Sequence, residues 1–182
     1  MKTLVDLQEE NRFITDKNSQ HSYLEVYDKL FSSIKEKEIN FFELGIHKGG
    51  SMLLWNAYFT KARLFCLDKK ENVYRDDLLP LEDKGIITMI MDYDLVTKDT
   101  FCGLRFDVVI DDLSHDLIHQ IKTFNLFRNK LRSGGMIVIE DIRPENLEYW
   151  KYISSDIPNS RIIDRRHIKN RYDDVLFIYN EI

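Results

Sequence analysis

The sequence predicts an α/β fold: a mainly parallel seven-stranded sheet with one antiparallel strand, and helices on both faces. Three observations carry that expectation. Short apolar runs alternate with helix-length amphipathic segments over most of the 182 residues, the pattern of strands joined by crossover helices. The runs are apolar throughout, as in strands buried on both faces. The last two runs, 161–164 and 175–180, are separated by about ten residues with no helix-length segment, and a parallel return needs a longer crossover.

The elements follow in order. Residues 22–37 read as an amphipathic helix, with Tyr23, Val26, Tyr27, Leu30, Phe31 and Ile34 at helical spacing and Ser22 as its N-cap. The run 39–46 is a buried strand ended by glycine, and 51–59 is the helix after it. Strands are expected at 63–68, 85–91 and 106–111. A helix beginning near His115 presents Leu117, Ile121, Phe124 and Leu131 on one face, and Gly134 and Gly135 are expected to end it. Strand 136–141 precedes a helix over 144–156 with proline near its first turn.

Composition bounds the function. The chain is 43% hydrophobic, which suits one domain over 1–182, with 1–38 as an N-terminal helical segment before the core. A formal net charge of −5 argues against wrapping nucleic acid. Cys66 and Cys102 fall in no metal or redox spacing, so a reducing compartment is expected. No apolar run approaches the roughly 18 residues that span a bilayer. A cytoplasmic protein without nucleic-acid or membrane partners is the expectation.

Ligands of such sheets sit at the carboxyl ends of the strands. The first loop carries Glu43, Gly45, Gly49, Gly50 and Ser51, with G-x-x-x-G-G in place of the dinucleotide pattern G-x-G-x-x-G. The acid before the first glycine disfavours a diphosphate and favours a ligand with a cationic end. Asp68, closing the second strand, is placed to accept from ribose hydroxyls, and Asp92, after the third, to face an adenine amino group. These features describe S-adenosylmethionine, a nucleoside with an amino-acid tail, a sulfonium and no phosphate. Each also has a plainer reading: glycines permit tight turns, and strand-end acids cap helices.

Asp111 and Asp112 end the fourth strand, and Glu140 and Asp141 end the fifth. If those strands are neighbours, four carboxylates meet at the ligand edge, where they repel unless protonated or neutralised. A hard divalent cation such as Mg²⁺ removes the conflict and keeps positions open for substrate hydroxyls. His115 follows three residues after Asp112. An imidazole there is suited to take a proton from a coordinated hydroxyl. Its plainer reading is a first-turn residue behind a Ser114 cap.

The loop 43–51, Asp68 and the strand order resemble the class I S-adenosylmethionine-dependent methyltransferases, a Rossmann-like fold, over nearly the whole chain. The stretch DVVIDDLSH, with FNLFRNKLRSGGMIVIEDI after it, resembles more specifically the metal-dependent O-methyltransferases of macrolide and other antibiotic sugars. TDKNSQHSYLEVYDKLF (15–31) is similar to the segment before their core. The resemblance implies Asp112, Glu140 and Asp141 as metal ligands, Asp111 on the cofactor side, His115 as general base and a sugar or glycan acceptor. The family usually has glycine where this chain has Leu113, which narrows the acceptor side and points to a different substrate. The chain is short for the family, so a homo-oligomeric partner or a large acceptor on an open face is expected to complete the site.

Other readings compete. The acceptor is a non-sugar small molecule or a phosphorylated metabolite in one of them. A nonenzymatic binding domain on a degenerate methyltransferase fold is another, disfavoured by the intact acidic cluster. His115-Asp-Leu-Ile-His119 is similar to a zinc helix with Asp for Glu, without an identifiable third ligand. The basic stretch 161–171, with Arg161, Arg165, Arg166, His167, Lys169 and Arg171, either grips a phosphate or is a solvated loop. Tyr149 and Trp150 either stack on a sugar ring or pack in the core.

Overall fold

The structure is a computed structural model describing residues 2–69 and 74–182. Seven strands form one sheet in the order β3-β2-β1-β4-β5-β7-β6. They are β1 (Asn40–Leu44), β2 (Arg63–Asp68), β3 (Ile87–Ile90), β4 (Phe106–Asp111), β5 (Leu131–Ile139), β6 (Ser160–Asp164) and β7 (Val175–Asn180). The first five strands pair parallel, and β7 runs antiparallel between β5 and β6. The expected reversed strand is therefore present, next to the edge.

The helices are α1 (Leu4–Asn11), α2 (Leu24–Phe31), α3 (Gly50–Tyr58), α4 (Arg75–Asp83), α5 (Leu117–Phe127), α6 (Pro144–Asp156) and the single turn α7 (Arg166–Lys169). Alternation along each strand divides the core in two. Phe41, Val108, Ile110 and Val138 pack against the face carrying α1, α2 and α3. Phe42, Val109, Ile137 and Ile139 pack with Phe124, Phe127 and Trp150 of α5 and α6. Among the described residues no helix is long and apolar enough to cross a membrane.

Several expectations change. The first amphipathic helix is the shorter Leu24–Phe31. Gly134 and Gly135 do not end a helix. A 3-10 turn, Arg128–Lys130, follows α5 directly, and the glycines lie inside β5, beside a register shift against Phe106 and Val108. Crowding explains Gly135, since a Cβ there would sit 2.9 Å from the Arg132 carbonyl oxygen and 3.1 Å from that of Phe106. The helix α1 lies in the 1–38 segment expected to be helical, whereas α4 was not anticipated. Pro80 lies inside α4 and interrupts the helical pattern. Its four residues make α7 too short for a crossover, so the antiparallel return holds.

Candidate active site

The register sets the site. Leu44 pairs with Asp111, and Asp111 with Ile139, so the carboxyl ends of β1, β4 and β5 lie side by side. The amide of Asp112 donates to the Leu44 carbonyl at 2.8 Å, and that of Glu140 to the Asp111 carbonyl at 3.0 Å. Residues 12–23, between α1 and α2, lie over these ends and drive side chains down into them.

Lys17 is buried among them, only 1% exposed. Its Nζ lies 2.7 Å from Asp112 Oδ2, 2.8 and 2.7 Å from the two oxygens of Glu140, and 3.2 Å from Glu43 Oε1. The Tyr27 hydroxyl also donates to Glu140. Burial opposes the charge on Lys17, yet Asp112, Glu140 and Glu43 outweigh it and hold its pKa well above the usual lysine value. Burial and the neighbouring carboxylates of Asp112, Asp141 and Glu43 leave Glu140 well above the carboxylate range despite Lys17.

A second grouping shares Asp112. His115 Nε2 lies 3.3 Å from Asp112 Oδ1 and 3.4 Å from Asp141 Oδ2, and these three residues each offer a ligand atom within 4.8 Å of the others. Burial, reinforced by Asp112, pushes the Asp141 carboxyl up to about 7, even though the Tyr23 hydroxyl donates to it at 2.6 Å. Burial pulls His115 down, but the hydrogen bond to Asp112 and the charges of Asp141, Asp112 and Asp111 prevail and raise it. His115 (φ 59°) and Asp141 (φ 54°) both occupy the left-handed region. Side chains rarely go there without a compensating constraint. One such constraint is Arg143, which donates to the Asp116 carboxylate at 3.0 Å and the Ser114 carbonyl at 3.1 Å, bracing the loop on both sides of His115.

A cavity of about 720 Å³ opens beside this grouping, between the loop after β1 and the 8–20 segment. Gly45, Ile46, His47, Ser51, Asp68, Asp112, Leu113 and His115 form one wall, and Gln8, Arg12, Phe13 and Ile14 the other. Its size suits a nucleoside with a tail. Gly45 is required for its backbone: φ is +87°, and a Cβ would meet the Asp112 carbonyl oxygen at 1.9 Å. Gly49 is the left-handed N-cap of α3.

The expected cofactor residues divide. Gly45, Ser51 and Asp68 line the cavity. The Asp68 carboxylate also accepts from the amides of Ile46, His47 and Lys69 at 2.7–2.9 Å, which fixes the glycine loop. Glu43 does not face the cavity. It is fully buried, accepts from Ser51 Oγ at 2.7 Å and Trp55 Nε1 at 3.1 Å, and has Lys17 at its other oxygen. The cationic end inferred for it is thus the protein's own lysine. Asp92 is exposed and caps the 3-10 turn Tyr93–Leu95 through the Asp94 amide. Asp111 is buried and accepts from the Leu113 amide at 3.2 Å. Neither lines the cavity.

The expected metal ligands also divide: Glu140 joins Glu43 and Asp112 around Lys17, whereas Asp141 joins Asp112 and His115. The zinc reading fails because His115 precedes α5. His119 turns instead to Ser114 Oγ at 2.7 Å and Asp94 at 3.1 Å. Trp150 is core, its Nε1 donating to Gln120. The basic stretch is used internally: Arg165 binds Ser22 and Glu25, Lys169 the Asn18 carbonyl, and Arg171 Asp173 and Gln20. Lys17, Tyr23, Tyr27 and His21, whose Nδ1 lies 3.3 Å from Asp141 Oδ1, were not anticipated as site residues. Tyr23 and Tyr27 lie on the apolar face that the expected helix buries, and Lys17 and His21 precede that helix, so no periodicity marks them.

No protein-family model matches the chain. The chain is 30% identical over 157 residues to demethylmacrocin O-methyltransferase of Streptomyces fradiae, covering 80% of this chain and 38% of that protein. It is 28% identical over 140 residues to mycinamicin VI 2''-O-methyltransferase of Micromonospora griseorubida, covering 72% and 34%. The chain therefore spans little more than a third of the length of these curated relatives. Among solved structures, the MycE methyltransferase of the mycinamycin biosynthetic pathway, in complex with Mg, SAH and mycinamycin VI, superposes with a TM-score of 0.72 at 21% identity. That match covers 99% of this chain and 55% of that one. The O-methyltransferase TomG of Streptomyces achromogenes, in complex with SAM, superposes with a TM-score of 0.65 at 13% identity, over 87% and 81%. The fold is the Rossmann-like one of the class I methyltransferases.

Proposed function

We propose that the chain is an S-adenosylmethionine-dependent O-methyltransferase, assisted by a divalent cation and acting on the hydroxyl of a sugar or sugar-bearing small molecule. The observation that carries this reading is the grouping of Asp112, His115 and Asp141, the first two of which line a nucleoside-sized cavity. Relatives named as sugar O-methyltransferases support it, as does a neighbour solved with Mg and SAH.

The residues suit both groups. Two buried-edge carboxylates with an imidazole drawn onto them form an oxygen-rich site short of positive charge, which Mg²⁺ satisfies. Asp112 and Asp141 would hold the ion. Glu140, tied to Lys17 and Tyr27, backs Asp112 from behind. The glycine loop pinned by Asp68 and the 8–20 segment would enclose the nucleoside.

When bound, S-adenosylmethionine would supply an electrophilic methyl group and a divalent cation would lower the acceptor hydroxyl's pKa. His115 Nε2 takes the hydroxyl proton. Without the cation, His115 serves the carboxylates as a counter-charge. A second positive charge nearby favours the neutral imidazole, the form that accepts a proton. The Arg143 brace holds that imidazole in place, and Leu113 narrows the acceptor side of the cavity.

The test is methyl transfer from labelled S-adenosylmethionine to a panel of sugar-bearing acceptors, followed by mass spectrometry. The reading expects a methylated sugar hydroxyl with Mg²⁺ and none in excess chelator. Transfer that is undiminished in metal-free protein would remove the cation from the account.

A further inference from the structure

The metal reading leaves Lys17 without a task, although it is the most deeply placed cation at the site. Its ammonium has three protons, and three carboxylates, Glu43, Asp112 and Glu140, each lie within 3.2 Å of it. They come from β1 and from the residues directly after β4 and β5, so one atom ties the ends of three adjacent strands. The same three carboxylates also meet the geometric condition for holding a metal ion, each offering an oxygen within 4.8 Å of the others. A cation is therefore already present, supplied by the chain.

We propose that Lys17 is a positioning residue: its ammonium is the resident cation of the Glu43–Asp112–Glu140 group, so that a divalent ion is taken only on the Asp141 side. Asp112 is the shared wall. Its Oδ2 accepts from Lys17, which turns Oδ1 toward His115 at 3.3 Å. Glu140 is held by both oxygens and kept from the second group. The lysine is delivered by a turn in which the Gln20 and His21 amides bond the Asp16 carbonyl and the Tyr23 amide bonds the Lys17 carbonyl. The 12–23 segment thus both roofs the cavity and sets the charge beneath it. This assignment rests on the metal reading above for its second half, the single ion, but not for its first, the holding of the carboxylates.

The experiment has two readouts, the number of Mn²⁺ ions bound per chain (by electron paramagnetic resonance of the free ion) and the melting temperature in chelator. For the unmutated chain one Mn²⁺ is expected. Lys17→Met leaves three buried carboxylates without a cation. Its melting temperature in chelator should fall by roughly 10 °C, given the cost of breaking a buried ion pair in a chain of this size. Mn²⁺ should restore most of the loss, with two ions bound. Lys17→Met/Glu43→Gln removes one carboxylate together with the cation. It should melt near the unmutated chain and bind one ion.

If Lys17→Met folds only with Mn²⁺ present, the ion count is made on that preparation, and the double variant supplies the melting comparison. Lys17→Met melting normally in chelator with a single ion bound would overturn the proposal. So would a double variant as unstable as the single one, because charge would then not be what Lys17 contributes. An unmutated chain that binds no Mn²⁺ would instead count against the metal reading and the single-ion half, while the melting comparison still decides whether Lys17 holds the carboxylates.

Discussion

Two pairs of strand-end acids meet opposite fates in this molecule. Glu43 and Asp68, at the ends of β1 and β2, are held by fixed protein groups: hydrogen bonds from Ser51 and Trp55 and the Lys17 ion pair for one, three backbone amides for the other. Asp112 and Asp141, just beyond β4 and β5, face each other across an imidazole, and Asp141 is raised to about 7 by burial and by Asp112. The first pair braces the glycine loop and α3 that shape the cavity, and the second keeps a charge deficit at its rim. A carboxylate at a strand end is therefore no sign of ligand binding. What separates the two pairs is how completely the fold supplies donors, and whether the backbone carries strain, as at His115 and Asp141.

The largest effect is expected at the strained rim. His115→Ala should lower the methyl-transfer rate by about 10²–10⁴-fold, the usual cost of a general base, with S-adenosylhomocysteine affinity measured by calorimetry nearly unchanged. A comparable loss of cofactor affinity would mean that His115 holds the cofactor instead of taking the proton.

Asp68→Asn breaks the comparison from the other side. It weakens charge-assisted bonds to the Ile46 and His47 amides, each worth about 1–3 kcal/mol. Cofactor affinity should drop about tenfold, while the metal dependence of the rate stays as it was. A changed metal dependence would merge the two regions.

The third prediction concerns pH. The folded pKa of Asp141, about 7, lies above an unfolded value of about 3.9, so the folded state holds that proton more tightly. The contribution to stability is complete below about pH 4 and is lost as pH rises through about 7. His115, also raised, acts in the same direction. Since a divalent cation relieves this cost, the Mg²⁺-induced rise in melting temperature should be small at about pH 5 and grow by a few degrees at about pH 8. A rise independent of pH would place the ion elsewhere. The smallest effect is expected for His119→Ala. Its partners are Ser114, ahead of α5, and Asp94, in the 3-10 turn after β3, and the rate should change by less than about twofold, as surface changes generally do.

Much of this was legible in the sequence, for physical reasons that differ by region. Runs such as FFEL and DVVID are buried on both faces, so their apolar character alone marks them as central strands, and the acids that end them mark the ligand edge. The reversed β7 followed from the length of its connection. The function of 12–23 was not legible as chemistry, because Lys17, His21, Tyr23 and Tyr27 reach their partners more than 90 residues away. Tyr23 and Tyr27 read as an apolar face, which they are, and only their hydroxyls reach the site. The pairing of Glu43 with Lys17 was not legible for the same reason, since the lysine comes from a distant segment. Gly134 and Gly135 misled because a helix stop and a strand bulge use the same residue.

The central claim is that the rim acids, and not the wall acids, hold a divalent cation. The most direct test is Mn²⁺ binding to Asp141→Asn and Asp68→Asn, titrated beside the unmutated chain. The account predicts that Asp141→Asn loses the ion, with affinity down by at least tenfold, while Asp68→Asn binds it as the unmutated chain does. Equal binding by all three, or loss in Asp68→Asn alone, would contradict it.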